Sequence, residues 1–349
     1  MNVLYDFIFI TNIPAFYKVN LLNRLAKNCS IKTIFIGKKS KIRNNDFYNY
    51  HHEFDSEYIN NGNFEDRNKL KTFIKIYKII KNIKYNKLIY PGWEIKELFF
   101  LSFLAKKNNN SIIIESTIND TNIQGYTWIL KKIFINRMSS AYICGNMQKK
   151  ILEKTKFKGK IIMTYGVGIP NYIKYPLKNY NKKKNKLTLT YLYVGRLSKE
   201  KNLSFLIKIF NKRSEKLIIV GDGQEFYNLK KQANNNIIFL GYINNKNLNK
   251  IYKLVDVFIL PSISEPWGLV IEEALVFNLP IIISNRVGCK ETLALNKIGL
   301  IFDINNNNSL KKCLDDMNKN YKKYFKYVSN VNMNSVYNRQ VNSYLESIS

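Results

Sequence analysis

Leu260-Pro261-Ser262-Ile263-Ser264-Glu265-Pro266-Trp267-Gly268-Leu269-Val270-Ile271-Glu272-Glu273-Ala274-Leu275 is the stretch on which the reading of this chain turns. The wholly apolar run 257–260 comes first and, closed by a proline, has the pattern of a strand buried on both faces. A short polar turn follows, then a glycine, and then Leu269, Ile271, Ala274 and Leu275 recur at helical spacing. The pattern predicts strand, loop and helix N-terminus, with Glu265 in the loop and Glu273 about two turns into the helix. Backbone N–H groups near Gly268 and Leu269 would face an incoming anion, and the helix dipole would favour it. Two carboxylates at the mouth of an anion site make sense when hydroxyls lie between them. A sugar joined to a nucleoside diphosphate fits that description.

Around this stretch the second half alternates regularly. Strand patterns at 187–194, 217–220, 236–240, 257–260 and 280–284 are separated by helical ones at 203–210, 225–231, 248–254 and 270–277. That alternation predicts a parallel, doubly wound sheet. The first half reads more loosely. Strands are expected at 4–10, 31–37, 87–90, 111–114 and 161–164, and helices from 19 and over 94–106 and 128–137. Residues 38–68 read as loops and edge strands. Leu70, Phe73, Ile74, Tyr77 and Ile80 give 70–83 an amphipathic helix that packs on a sheet in preference to lying on a membrane. The expected domains are 1–170 and 187–320, joined by a linker at 171–186 and followed by a helical tail at 321–349 that crosses back to the first domain.

Composition narrows the function. A chain of 349 residues, 46% hydrophobic, can bury two cores. The net charge of +31 invites a nucleic-acid reading, but the lysines are spread through both halves and no aromatic-plus-arginine module is visible. Lysine, asparagine and isoleucine are abundant and arginine scarce, as an AT-rich coding sequence would give. A soft attraction to anionic lipid or phosphorylated acceptors fits this charge better. Arg196, placed in a glycine-bounded turn of a lysine-favouring sequence, suggests a need for guanidinium geometry. The four cysteines have no paired spacing, which predicts free thiols. His51 and His52 read as surface residues. The opening Met-Asn-Val-Leu-Tyr-Asp has no basic n-region, and no apolar run reaches spanning length, so a cytoplasmic protein is expected, with the inner membrane face as its place of work.

Glu265 and Glu273, with the strand and glycine around them, resemble the paired-glutamate motif of the retaining family 4 glycosyltransferases. Glu265-Pro266-Trp267-Gly268-Leu269-Val270 and Ser284-Asn285-Arg286-Val287-Gly288-Cys289 are similar to that family as well. The resemblance covers most of the second domain and the first only loosely. It implies the GT-B fold, an α/β chain of two Rossmann-like domains facing a central cleft, with a nucleotide-sugar donor on the second. Gly195, Arg196 and Lys201 would then serve the diphosphate, and Gly223 would lie on the nucleotide side. Gly241 and Ile243 would meet the base through backbone atoms. Gly268, Leu269 and Val270 would offer N–H groups to the diphosphate. Glu273 would take the ribose hydroxyls, and Glu265 would contact the transferring sugar and oppose its developing positive charge. The catalytic set so implied is Glu265, Arg196 and Lys201.

The resemblance also implies a glycan or lipid-linked glycan acceptor, as in lipopolysaccharide or capsule synthesis. Asn12, Pro14 and Glu115 stand where the acceptor would bind, although the loop at 11–17 lacks the glycines common in relatives and a salt bridge accounts for Glu115 equally well. No cofactor is implied, since a UDP- or GDP-sugar is a substrate. Asp-x-Asp pairs are missing from the candidate loops, which implies a metal-independent site where Arg196, Lys201 and the helix dipole act in place of Mg²⁺. Two rivals stand beside this reading: a sugar-nucleotide epimerase or phosphorylase on the same fold, and a non-catalytic scaffold at the membrane surface. Near absence of histidine disfavours the epimerase.

Overall fold

The computed structural model describes residues 4–48, 51–171, 188–291 and 297–348. The chain divides into two compact units, Met1–Asn171 with Ser335–Ser349, and Tyr172–Asn334. Apart from Asn171, the expected linker lies outside the described residues, as does Leu187 at the expected start of the second domain. Residues 321–334, read as tail, belong to the second unit.

The first unit is built on β1 (Leu4–Thr11), β2 (Ile31–Lys39), β3 (Asp55–Asn63), β4 (Lys84–Tyr90), β5 (Asn110–Ile114), β6 (Ser140–Ile143) and β7 (Lys160–Met163). They form one parallel sheet in the order β3-β2-β1-β4-β5-β6-β7. Between them run α1 (Phe16–Leu25), α2 (Lys69–Lys81), α3 (Lys96–Leu104), α4 (Gly125–Asn136) and α5 (Asn146–Thr155). In α2 the buried positions are Thr72, Ile76 and Ile80, while Leu70 and Ile74 face solvent. The helix is thus turned from the expected stripe, and Asn60 of β3 donates to the Thr72 hydroxyl that takes its place inside.

The second unit contains β8 (Thr190–Val194), β9 (Lys216–Val220), β10 (Ile237–Gly241), β11 (Val257–Leu260), β12 (Ile281–Ser284) and β13 (Gly299–Phe302). Its helices are α6 (Leu203–Phe210), α7 (Phe226–Gln232), α8 (Asn245–Leu254), α9 (Leu269–Val276) and α10 (Asn307–Ser329). This sheet too is parallel, in the order β10-β9-β8-β11-β12-β13. Every residue of β8, β11 and β12 is buried, because helices on both faces of a parallel sheet leave no wet side. Burying each large aliphatic side chain of such strands contributes roughly 1.5–3 kcal/mol.

The order places a switch point between β8 and β11. To one side the chain winds through β9 and β10, and to the other through β12 and β13. The loops leaving β8 and β11 therefore diverge and open a crevice at the strands' carboxyl ends, where ligands of such sheets bind. The last helix, α11 (Met333–Leu345), returns the chain to the first unit. Its Tyr344 stacks on Tyr142 of β6 at 4.8 Å and meets Phe7 and Phe9 of β1, and Ser347 hydrogen-bonds the Tyr142 hydroxyl at 2.7 Å.

Candidate active site

The loop after β8 carries Gly195 and Arg196; the loop after β11 carries Glu265, and both border the switch point of the second sheet. Leu197 to Lys201 continue the first loop into a single 3-10 turn at Lys199–Lys201. Two contacts tie the loops together. The Ile263 amide donates to the Glu200 carbonyl at 2.9 Å, and Lys201 Nζ donates to Glu265 Oε2 at 2.6 Å. The side chains of this ion pair are only 13% and 15% exposed. A pair so withdrawn from water holds its geometry, since removing either partner would strand the other charge.

Arg196 behaves differently. Its guanidinium is largely exposed and meets Glu200 at 3.6 Å, while Glu200 is oriented by the Ser198 hydroxyl at 2.6 Å. An exposed pair of this kind contributes roughly 0–1 kcal/mol, so redirecting the guanidinium to a ligand costs little. The turn beneath it is fixed by the buried Tyr193, whose hydroxyl donates to the Arg196 carbonyl at 2.8 Å.

Beside Arg196 the carboxyl ends of β8, β9 and β10 form a ledge of backbone. The Gly195 amide donates to Val220, the Gly221 amide to Gly241, and the Leu197 amide to Asp222. Gly221 has φ +133°, and a Cβ there would lie 1.9 Å from the Gly195 carbonyl oxygen. Only glycine fits, and its absence of side chain leaves the ledge flat. Gly223 sits at the end of this ledge against Leu197, and Gly241 and Ile243 at its outer edge, both half-buried.

On the other side, Gly268 ends the Glu265 loop and caps α9 with φ +97° and without a side-chain capping bond. The amides of Leu269 and Val270 open the helix, where first-turn N–H groups have no intrahelical acceptor. The loop is braced from behind: the Gly288 amide donates to the Glu265 carbonyl and the Cys289 amide to Trp267. Trp267, itself buried, donates Nε1–H to Glu272 at 2.6 Å. Glu273 is buried as well and accepts from the Tyr252 hydroxyl of α8 at 2.9 Å. Burial pushes the Glu273 carboxyl up to about 7, against the hydrogen bond from Tyr252 that favours its charged form. Burial takes Glu272 up to about 8, against the Trp267 bond and with the neighbouring Glu273 charge adding to the rise.

The structure thus brings Arg196, Lys201, Glu265 and the α9 N-terminus to one end of the second sheet, with the glycine ledge alongside. Sequence reasoning passed over Glu200, Tyr193, Tyr252, Trp267 and Glu272 as supports. Only the Arg196–Glu200 spacing, four residues apart, carried a local signal. In the first unit, Pro14 is buried, Asn12 Oδ1 is buried without a hydrogen-bond partner, and Glu115 pairs with Lys18 at 3.1 Å. Lys18 and Glu115 line a cavity of about 30 Å³, room for about one water.

Residues 178–332 match the family model described as glycosyl transferases group 1. The match covers less than half of the chain and falls within the second unit. An uncharacterized glycosyltransferase of Methanocaldococcus jannaschii is 34% identical over 111 residues, 29% of this chain and 28% of that protein. The chain therefore spans less than a third of this relative. An uncharacterized 41.2 kDa protein of the cps region of Klebsiella pneumoniae is 26% identical over 263 residues, 68% of this chain and 71% of that one. Among solved structures, Anabaena HepE in complex with UDP and glucose superposes with a TM-score of 0.71 at 15% identity, covering 99% of this chain and 98% of that one. The likeness gives the fold, the α/β GT-B architecture of two parallel-sheet units, and the residues that match the group 1 model lie in the second of them.

Proposed function

We propose that the protein is a retaining glycosyltransferase that moves a sugar from a nucleotide-sugar donor, without a metal ion, to a glycan or lipid-linked glycan acceptor of a surface polysaccharide. The observation that carries the reading is the 2.6 Å Lys201–Glu265 pair held beside an open helix N-terminus. A diphosphate at the α9 amides would meet Lys201 and Arg196, which oppose the charge that grows on the leaving phosphate. The sugar would then lie against Glu265, whose carboxylate offsets positive charge developing at the anomeric carbon. The glycine ledge suits a nucleoside lying flat against backbone, and Glu273 would receive the ribose. The leaving phosphate, on the same face as the incoming hydroxyl, would take its proton. The complex of HepE with UDP and glucose and the Klebsiella relative's cps region support the donor and acceptor classes. Work at the inner membrane face follows from such an acceptor.

The test is a thermal-shift panel of UDP-, GDP-, ADP- and CMP-sugars in buffer containing EDTA. One donor class at 100 times its Kd should stabilise the protein by about 2.7 kcal/mol through linkage. No shift with any of them, or a shift that strictly requires a divalent cation, counts against this reading.

A further inference from the structure

The second sheet ends on β10, whose outer edge meets no other strand among the described residues. Its register with β9 sets which backbone groups that edge presents. Ile237 stands opposite Leu217 and Phe239 opposite Ile219, and the Leu217 amide donates to the Asn236 carbonyl. In a parallel ladder the residues that address one neighbour alternate along the strand, so Ile238 turns its N–H and C=O toward β9 and Phe239 turns both toward the open edge. The side chains alternate too. Phe239 packs against α7, meeting Phe226 edge-on at 5.8 Å, while Ile238 and Leu240 are each 40% exposed and Tyr242, just past the strand, 45%.

An open edge with apolar side chains is a template for another strand, and folded proteins guard such edges with charge or proline. The other sheet edges of this chain carry that guard: β3 has Asp55 and Glu57, β7 has Lys160, and β13 lies between Lys297 and Asp303. β10 lacks it. Residues 232–245 hold no proline and no charged side chain, the longest uncharged run in a chain with 56 lysines and arginines. We infer that β10 pairs with β10 of a second copy of the chain, antiparallel about a two-fold axis at Phe239. Charge selects this partner. Two bodies of net charge +31 repel wherever their lysines meet, and an uncharged seam lets them join without setting cation on cation. An acidic partner would find no cation on this edge. A two-fold contact also needs a surface that complements itself, and Phe239 supplies one, since each copy donates one N–H and accepts one at the same residue. Ile238 then lies directly across from Leu240 of the second copy, in a non-hydrogen-bonded pair with Cα atoms about 4.5 Å apart. The two six-stranded sheets become one.

The inference does not depend on the donor site and is tested apart from it, by sedimentation equilibrium of the full chain. The protein should be a dimer whose Kd falls about tenfold between about 0.05 and about 0.5 M NaCl, because salt screens the repulsion between the two bodies and leaves the seam as it is. I238K/L240K should sediment as a monomer with the wild-type thermal transition. I238C/L240C should oxidise to a disulfide-linked dimer under conditions that leave the wild type unlinked, since its paired positions come within disulfide reach. A wild-type monomer at every concentration and salt, a dimer that I238K/L240K leaves intact, or an I238C/L240C protein that does not cross-link would overturn the proposal. So would a dimer that weakens as salt rises, because such a contact runs through charge.

Discussion

Neutralising Lys201 and Glu265 separately and together distinguishes a catalytic pair from a structural one. At 2.6 Å and an effective dielectric near 20, their attraction is about 6 kcal/mol, most of it offset by the water each group gave up. Lys201→Met leaves a largely buried carboxylate unpaired and should cost about 2–4 kcal/mol of stability; Glu265→Gln should cost a similar amount by leaving the ammonium. The double variant removes both charges, so its loss should fall short of the sum by about 2 kcal/mol. Urea-unfolding midpoints of the four proteins measure this coupling. Turnover should follow another rule. If Lys201 serves the leaving phosphate and Glu265 the sugar, each single variant loses about 10²–10³ in kcat, and the double variant recovers none of it. A merely structural pair would give the opposite result, with activity returning as the mutual damage is relieved. Recovery of kcat to within about tenfold of wild type in the double variant would refute the assignment.

The buried glutamate of α9 makes a pH prediction. Between pH 4.5 and about 7 the folded Glu273 keeps a proton that the unfolded chain has lost, so this group's stabilisation is complete below the lower value and fades as pH rises through the upper. Glu273→Gln should remove roughly 3 kcal/mol of that decline, read as a flatter dependence of the urea midpoint from pH 5 to 8; an unchanged slope would place the titration elsewhere. Gly221→Ala should cost at least about 3 kcal/mol and abolish the donor-induced thermal shift, because its methyl group would strike the Gly195 carbonyl. Gly241→Ala, with open space around it and φ +67°, should cost only about 1–2 kcal/mol, and equal losses at the two sites would remove the ledge from the argument.

Much of the second unit was legible because its signals are local. Val257–Leu260 and Leu203–Phe210 are uninterrupted or strongly periodic, and they appear with the bounds their patterns gave. β13 was not foreseen, since Gly-Leu-Ile-Phe is too short to carry a period and gains its strand only by pairing with β12. α5 was passed over because Asn146–Thr155 is polar apart from Met147, Ile151 and Leu152, which all turn inward. In the site, the arginine turn and the glutamate loop each announced themselves, but what joins them did not. Lys201 and Glu265 are 64 positions apart, and Tyr252 reaches Glu273 from another helix. In α4 apolar residues lie all round the helix, so composition could not say that Trp128, Phe134 and Ile135 face in while the Ile129 side faces out.

The return of α11 has a consequence for biogenesis. Phe7, Phe9 and Tyr142 leave the ribosome early, yet the tyrosine that covers them comes after all of residues 172–334. At ~5–20 residues per second, translating that intervening segment takes roughly 10–30 s. Throughout this interval the nascent first unit lacks the tyrosine ring that covers Phe7, Phe9 and Tyr142 in the finished fold. The second unit, contiguous in sequence, can finish folding while its predecessor is still waiting.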